Sequence, residues 1–178
     1  TFMDINKKTK WRLQIFIPAQ ANESILREKI DNKNVEIIKF NTSGFVSKNI
    51  NLNFFHFNTG FFGPFQGNVL IYAIYLGILA KYQTIKIFGA DLSFHENVTV
   101  DQDSNDLFVS FRHFNAREER EKLMKNPAKI EPFKMHEFLE LSAQTFFAHV
   151  VLNAYSKSKQ IQIFNCSSYS LIDAYERG

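Results

Sequence analysis

The stretch from Asn68 to Asp91, NVLIYAIYLGILAKYQTIKIFGAD, restricts the fold of this chain more than any other. Its apolar run, Val69 to Ala80, is too short to cross a bilayer, which takes about 20 apolar residues. It follows the turn-rich NTGFFG of Asn58 to Gly63, and Pro64 suits the first turn of a helix. These features predict a buried helix that continues to about Lys81. Almost every face of it is apolar, so it needs cover on both sides, as a crossover helix in a layered α/β domain receives. Thr84 to Phe88 then reads as a strand that stops at Gly89.

The remainder of the chain alternates in the same way. Arg12 to Ile17 is a predicted strand ended by Pro18. Asn22 caps a short helix to about Ile30, with Glu23 in the first turn, where the helix dipole favours a carboxylate. Val35 to Phe40 is a second strand, and the polar, Asn-rich segment Asn41 to Asn53 reads as a loop holding a weak strand. Ala116 to Met124 has the charge pattern of a solvent-facing helix. From Phe133 to about Lys157, Phe138, Leu141, Phe146, Val150 and Ala154 recur at helical spacing and predict an amphipathic helix packed on a sheet. Ile161 to Phe164 is the last strand. Strands that alternate with helices predict one α/β domain over residues 1–178, a three-layer Rossmann-like domain with a mainly parallel sheet and helices on both faces.

Composition removes several functions. The 178 residues carry a formal charge of only +3, and no basic block exceeds NKKTK at Asn6 to Lys10, which argues against nucleic-acid binding. An anionic small ligand or an anionic membrane surface remains compatible with that balance. A single cysteine, Cys166, excludes an intrachain disulfide and a multi-cysteine metal site, and it fits a reducing compartment. The first residues are polar and charged, unlike a signal peptide.

Chemistry is expected where the strand ends. Gly89 permits a sharp turn, and Asp91 just beyond it can accept from a sugar hydroxyl, orient a histidine or hold a divalent metal; equally, it can fix its own turn. The acidic VTVDQDSND that follows lacks the sixth-position glycine and terminal glutamate of a calcium loop and reads as a solvated turn. Further along, His113 has a pKa suited to deprotonating a hydroxyl, and Arg112 beside it suits a phosphate or carboxylate. His95 and His56 are weaker candidates, while packing or exposure on the long helix explains His136 and His149. Gln66, Gly67 and Asn68 open the apolar helix, where backbone N–H groups can hold an anion. Their GFFGPFQG context matches neither a dinucleotide fingerprint nor a phosphate-binding P-loop. Cys166 has no evident activating base and reads as inert.

Taken in order, FQGNVLIYAIYLGIL, TIKIFGADLSF, a polar loop reaching RHFN and a terminal IQIFNCSSYSLIDAYER resemble the C-terminal portion of proteins from bacterial surface-polysaccharide clusters. That group is similar to the family 42 sialyltransferases and the related 6-hydroxymethylpterin pyrophosphokinase-like domain. The resemblance runs from about Asn58 to the end. It implies a metal-independent glycosyltransferase without a cofactor, using a nucleotide-sugar donor, CMP-linked in the sialyltransferases, and a glycan or lipid-linked acceptor. It implies a cytoplasmic location at the inner face of the membrane, with peripheral contact. In its terms Gly67 matches the helix-opening glycine, Gly89 and Asp91 match the strand-end motif, and His113 matches the general base. Arg112, Gln66 and Asn68 fall on the donor or acceptor side. Ser93 stands where the sialyltransferases have a tyrosine, and Gln66 where they have a serine. The nucleotide-binding glycine turn of these families is missing before Arg12, so the chain is expected to be the C-terminal part of a longer protein. The alternatives are a Mg²⁺-dependent pyrophosphokinase-like enzyme using Asp91 with Asp101 or Asp103, and a non-catalytic carbohydrate-binding domain.

Overall fold

The computed structural model describes residues 1–111, 119–125 and 131–178, with the backbone alone at Phe111 and Glu119. The chain is a mixed α/β structure. Among the described residues it has five helices and four small sheets, three of which are parallel.

After helix α1 (Phe2–Lys8), strands β1 (Leu13–Pro18) and β2 (Val35–Phe40) run parallel, with Leu13 opposite Val35 and Pro18 opposite Phe40. The crossover between them is α2 (Glu23–Arg27). Asn22 caps it as expected, its Oδ1 accepting from the Ser24 N–H at 3.1 Å. A second parallel pair, β3 (Gly44–Phe45) and β4 (Gly63–Pro64), encloses α3 (Ile50–Thr59). Next come α4 (Val69–Leu79), β5 (Thr84–Ile87) and a 3₁₀ turn at Phe94–Asn97. The antiparallel strands β6 (Val98–Val100), β7 (Leu107–Phe111) and β8 (Glu119–Lys122) form their own sheet. The long helix α5 (Met135–Ser158) then leads to β9 (Gln162–Asn165), which lies between β5 and β10 (Glu176–Arg177).

The core forms where α4 and α5 cover the β5–β9 pair. Ile71, Ile74 and Ile78 of α4 pack with Ala148, Val151 and Leu152 of α5 over Ile87 and Ile163. Ile71 and Leu152 are fully buried, each contributing about 1.5–3 kcal/mol relative to exposure. Both helices end in a Schellman motif. In α4 the Lys81 N–H donates to Ile78 O and that of Tyr82 to Gly77 O; in α5 the Gln160 N–H donates to Lys157 O and that of Ile161 to Ser156 O. The left-handed position that usually takes glycine is Lys81 (φ +59°) in one and Gln160 (φ +60°) in the other. Side chains in that conformation cost about 1–2 kcal/mol each.

Several expectations need correction. Pro64 lies in β4 and not in a helix. The helix begins instead at Val69, because Asn68 caps it by accepting from the Ile71 N–H at 3.0 Å. Nor is α4 covered on both sides, since Val69 and Leu79 are exposed. The Asn41–Asn53 segment holds the expected short strand, β3, but also the start of α3, ordered by the buried Asn53, which bonds both Ser47 N–H and Ser47 O. Within the predicted helix Ala116–Met124, the described residues Glu119–Lys122 are a strand. Long-range pairing overrides the local pattern there: Lys122 sits opposite Phe108 and bonds Asp106, and the Arg120 guanidinium lies 4.2 Å from the centre of the Phe108 ring. The phase of α5 also differs from its apolar spacing. Leu141 and Val150 face solvent, whereas Thr145, His149 and Ser156 are buried. Polar side chains on the core face disguise the stripe.

Candidate functional site

In open parallel sheets, ligands collect beyond the carboxyl ends of the strands. Here the carboxyl ends of β1 and β2 and the start of α4 frame a groove of about 440 Å³, lined by Phe16, Pro18, Phe40, Thr42, Gln66, Asn68, Val69 and Tyr72. Its walls are aromatic. Phe16 meets Phe40 edge-on with ring centres 6.5 Å apart, and Phe40 packs at 5.4 Å from Tyr72. Phe16 is 38 % exposed although it sits mid-strand, which leaves ring surface open to a ligand. The Tyr72 hydroxyl donates to Thr42 O at 2.8 Å, and burial pushes its pKa up to about 12, so it remains a neutral donor. Gln66 is exposed at the rim. An aromatic wall beside amide and hydroxyl groups suits a flat ring or the apolar face of a sugar, with polar groups left to read its hydroxyls.

The residues singled out by sequence divide in two. Gln66 and Asn68 lie in the groove, but the Asn68 side chain is engaged in capping α4. Gly67 lies between them for a packing reason: a Cβ there would fall 2.2 Å from Thr145 Oγ1. Gly89 adopts φ +66° with open space around it, so backbone conformation is what requires a glycine. Asp91 is exposed and accepts from the Leu92 N–H at 2.7 Å and from the Ser93 hydroxyl at 3.1 Å. Of the two readings of Asp91, this geometry displays the one in which it fixes its own turn. Leu92, driven to φ +56°, buries its side chain in the core directly beyond. Both segments abut the same part of α5. Gly67 approaches Thr145, and His95, just past Ser93, packs against Phe146 with ring centres 5.9 Å apart. No hydrogen bond joins the two segments among the described residues. Arg112 and His113 lie outside the described residues.

The acidic turn is structural. Asp101 Oδ1 accepts from the Asp103 and Ser104 N–H groups at 3.2 and 3.0 Å, and its other oxygen lies 3.6 Å from Arg120. Among the described residues, no three of His, Cys, Asp and Glu come together in a way that would hold a metal ion. None of the helices among the described residues is long and apolar enough to cross a membrane.

Two features escaped the sequence reading, the terminal clamp and the aromatic wall, and a third, His149, was left there between packing and exposure. The terminal segment after β9 clamps the strand-end loop: Ser167 Oγ accepts from the Ala90 N–H at 3.0 Å, the Leu171 N–H donates to Asp91 O at 2.8 Å, and Tyr169 donates to Glu96 at 2.7 Å. His149 is wholly buried, its Nδ1 lies 2.9 Å from the Tyr175 hydroxyl, and its Nε2 has no partner among the described residues. Burial lowers its pKa to about 4 and raises that of Tyr175, so both are neutral at pH 7. Its helical register with Thr145 and Leu152 was the available signal. The aromatic wall had none, because Phe16, Phe40 and Tyr72 converge only once β1 and β2 have paired.

No protein-family model, curated protein or solved structure matches the chain.

Proposed function

We propose that the chain binds a nucleotide sugar at the carboxyl ends of its parallel strands and serves in glycosyl transfer to a bacterial surface glycan. The observation that carries this reading is the groove, in which Phe16, Phe40 and Tyr72 flank Gln66 and the capped start of α4. The aromatic rings would take the flat face of a base or sugar, and Gln66 and the Thr42 region would take hydroxyls. In this reading the small sheets are parts of a three-layer Rossmann-like arrangement. His113 acts as base on the acceptor hydroxyl, and Arg112 receives the charge of the leaving phosphate. Gly89, Asp91 and Ser93 shape the loop that presents the acceptor. The acceptor is a glycan or a lipid-linked glycan, met on the cytoplasmic face of the inner membrane, and transfer requires no metal or other cofactor.

The test is a thermal-shift and calorimetric screen of CMP, UDP, GDP and ADP and their sugar conjugates, each with and without EDTA. A ligand at 100 times its Kd stabilises by about 2.7 kcal/mol, which corresponds to roughly 5–11 °C in Tm for a domain of this size. One nucleotide sugar should give such a shift in EDTA, and Phe16→Ala should remove most of it. If none of the compounds shifts Tm, the reading is wrong.

One observation favours a second reading, a carbohydrate-binding domain without turnover. Both Asp91 carboxylate oxygens are engaged within its own turn. Binding that leaves the donor intact on prolonged incubation with acceptor glycans would select that reading.

A further inference from the structure

A second cavity lies at the opposite, amino ends of β5 and β9, where the chain leaves α4 and α5. It measures about 460 Å³, within the range of sites that enclose a small molecule. Its floor is apolar and aromatic, made by the buried Phe57, Ile78, Tyr155 and Ile161. Phe57 and Tyr155 meet edge-on with ring centres 5.2 Å apart. The rim is polar and cationic: Lys81, Gln83, Lys159, Gln160 and Asn58, with no Asp or Glu among the lining residues.

Two observations separate this cavity from an ordinary crevice. The left-handed residues that close α4 and α5, Lys81 and Gln160, are both on its rim. Glycine is the unstrained choice at each, yet the chain carries a long polar side chain at both. The second observation concerns Lys159. Its ammonium lies 5.3 Å from the centre of the Tyr155 ring and donates to Asn58 Oδ1 at 2.8 Å, an oxygen that also accepts from the Tyr155 hydroxyl at 3.0 Å. Neither Lys81 nor Lys159 has a carboxylate partner among the described residues. Lysines near helix carboxyl ends do complement the helix dipole. That accounts for their charge, but not for a strained lysine and a strained glutamine facing one aromatic-floored cavity.

We infer that this cavity is a binding site for a small planar anion, whose aromatic or conjugated body rests on Phe57 and Tyr155 while its carboxylate, sulfonate or phosphate group is held at the rim by Lys81 and Lys159. The amides of Asn58, Gln83 and Gln160 supply the remaining donors. The site is independent of the groove at the carboxyl ends and shares no lining residue with it.

The experiment is a titration of the chain with naphthalene-1-sulfonate, followed by calorimetry and by ¹H–¹⁵N shifts, beside the neutral naphthalene-1-methanol. The sulfonate should bind at one site, shift the amides of Lys81, Gln83, Gln160 and Ile161, and weaken as salt is raised. The alcohol and the Lys159→Gln variant should each lower affinity about tenfold, the loss of one charge-assisted contact. Lys81→Gly removes strain and charge together, so it should melt no lower than the parent and still bind about tenfold more weakly. Absence of saturable binding, equal affinity for the alcohol, shifts confined to the carboxyl-end groove, or a Lys81→Gly variant that binds as tightly as the parent would each overturn the assignment.

Discussion

Replacing Gly67 by alanine tests how the groove is attached to the core. The added methyl would lie 2.2 Å from Oγ1, 2.6 Å from Cγ2 and 2.7 Å from Cβ of Thr145, all well inside contact distance. Thr145 cannot swing aside freely, since it is buried on α5 and its hydroxyl donates to Leu141 O at 2.8 Å. The backbone at Gly67 must therefore move, and overpacking of this kind costs about 1–3 kcal/mol. For a domain of this size that is a fall in Tm of roughly 2–12 °C. Thr145→Ala removes two of the three clashing atoms and leaves Cβ, so the double variant should recover part of the loss and not all of it. The cycle, measured by urea denaturation with unchanged m-values, should give a favourable coupling of about 1 kcal/mol. Because α4 begins at this contact, Gly67→Ala should also weaken any ligand of the groove. A Gly67→Ala protein as stable as the parent, or strictly additive single changes, would refute the packing argument.

Three further outcomes follow from single side chains. Asn53→Ala leaves Ser47 N–H and Ser47 O without their buried partner, and denaturant melts should show a loss of about 2–4 kcal/mol. Buried His149 has its pKa lowered from 6.5 to about 4; the unfolded chain takes up the proton first, so its contribution is complete above pH 6.5 and is lost as pH falls towards 4. With the pKa depressed by about 2.5 units, this slope amounts to roughly 3 kcal/mol, and His149→Gln should flatten the stability profile across that window. Asp101→Ala removes the acceptor that orders the β6–β7 turn, so hydrogen exchange should accelerate at Asp103 and Ser104 while the α4–α5 core keeps its protection.

Strands that carry their own apolar run were legible however far off the partner lies, as Thr84 pairs with Gln162. β1, β2, β5 and β9 fall within a residue or two of their apolar runs, and the Asn22 cap is used as read. Elements whose own side chains do not carry the signal were not. Glu119–Lys122 has the charge pattern of a helix and becomes a strand because Asp106 and Phe108 wait opposite it. The phase of α5 is set by the approach of Gly67 to Thr145 and by a buried histidine, neither of which hydrophobic spacing can register. At the site, sequence marked Gln66 to Asn68 as the helix opening yet put Pro64 in its first turn, whereas Pro64 lies in β4, and the ring surfaces of Phe16, Phe40 and Tyr72 come together only through strand pairing.

Among the described residues, most of those singled out in the sequence are already engaged in the fold. Gly67 is taken up by contact with α5, Asn68 by a cap, Gly89 by a turn, and Asp91 with Ser93 by one another. A side chain held in this way can still shape a site, but its orientation is set by the fold rather than by a ligand. Among the described residues, what remains unengaged at the carboxyl ends is the aromatic wall and Gln66, so affinity there should follow ring contact more than charge. Asp91→Asn offers the sharpest separation of these roles. It keeps an oxygen for the Leu92 N–H while removing the negative charge, so groove binding should persist nearly unchanged. A loss of binding beyond about tenfold would mean that the carboxylate itself meets the ligand.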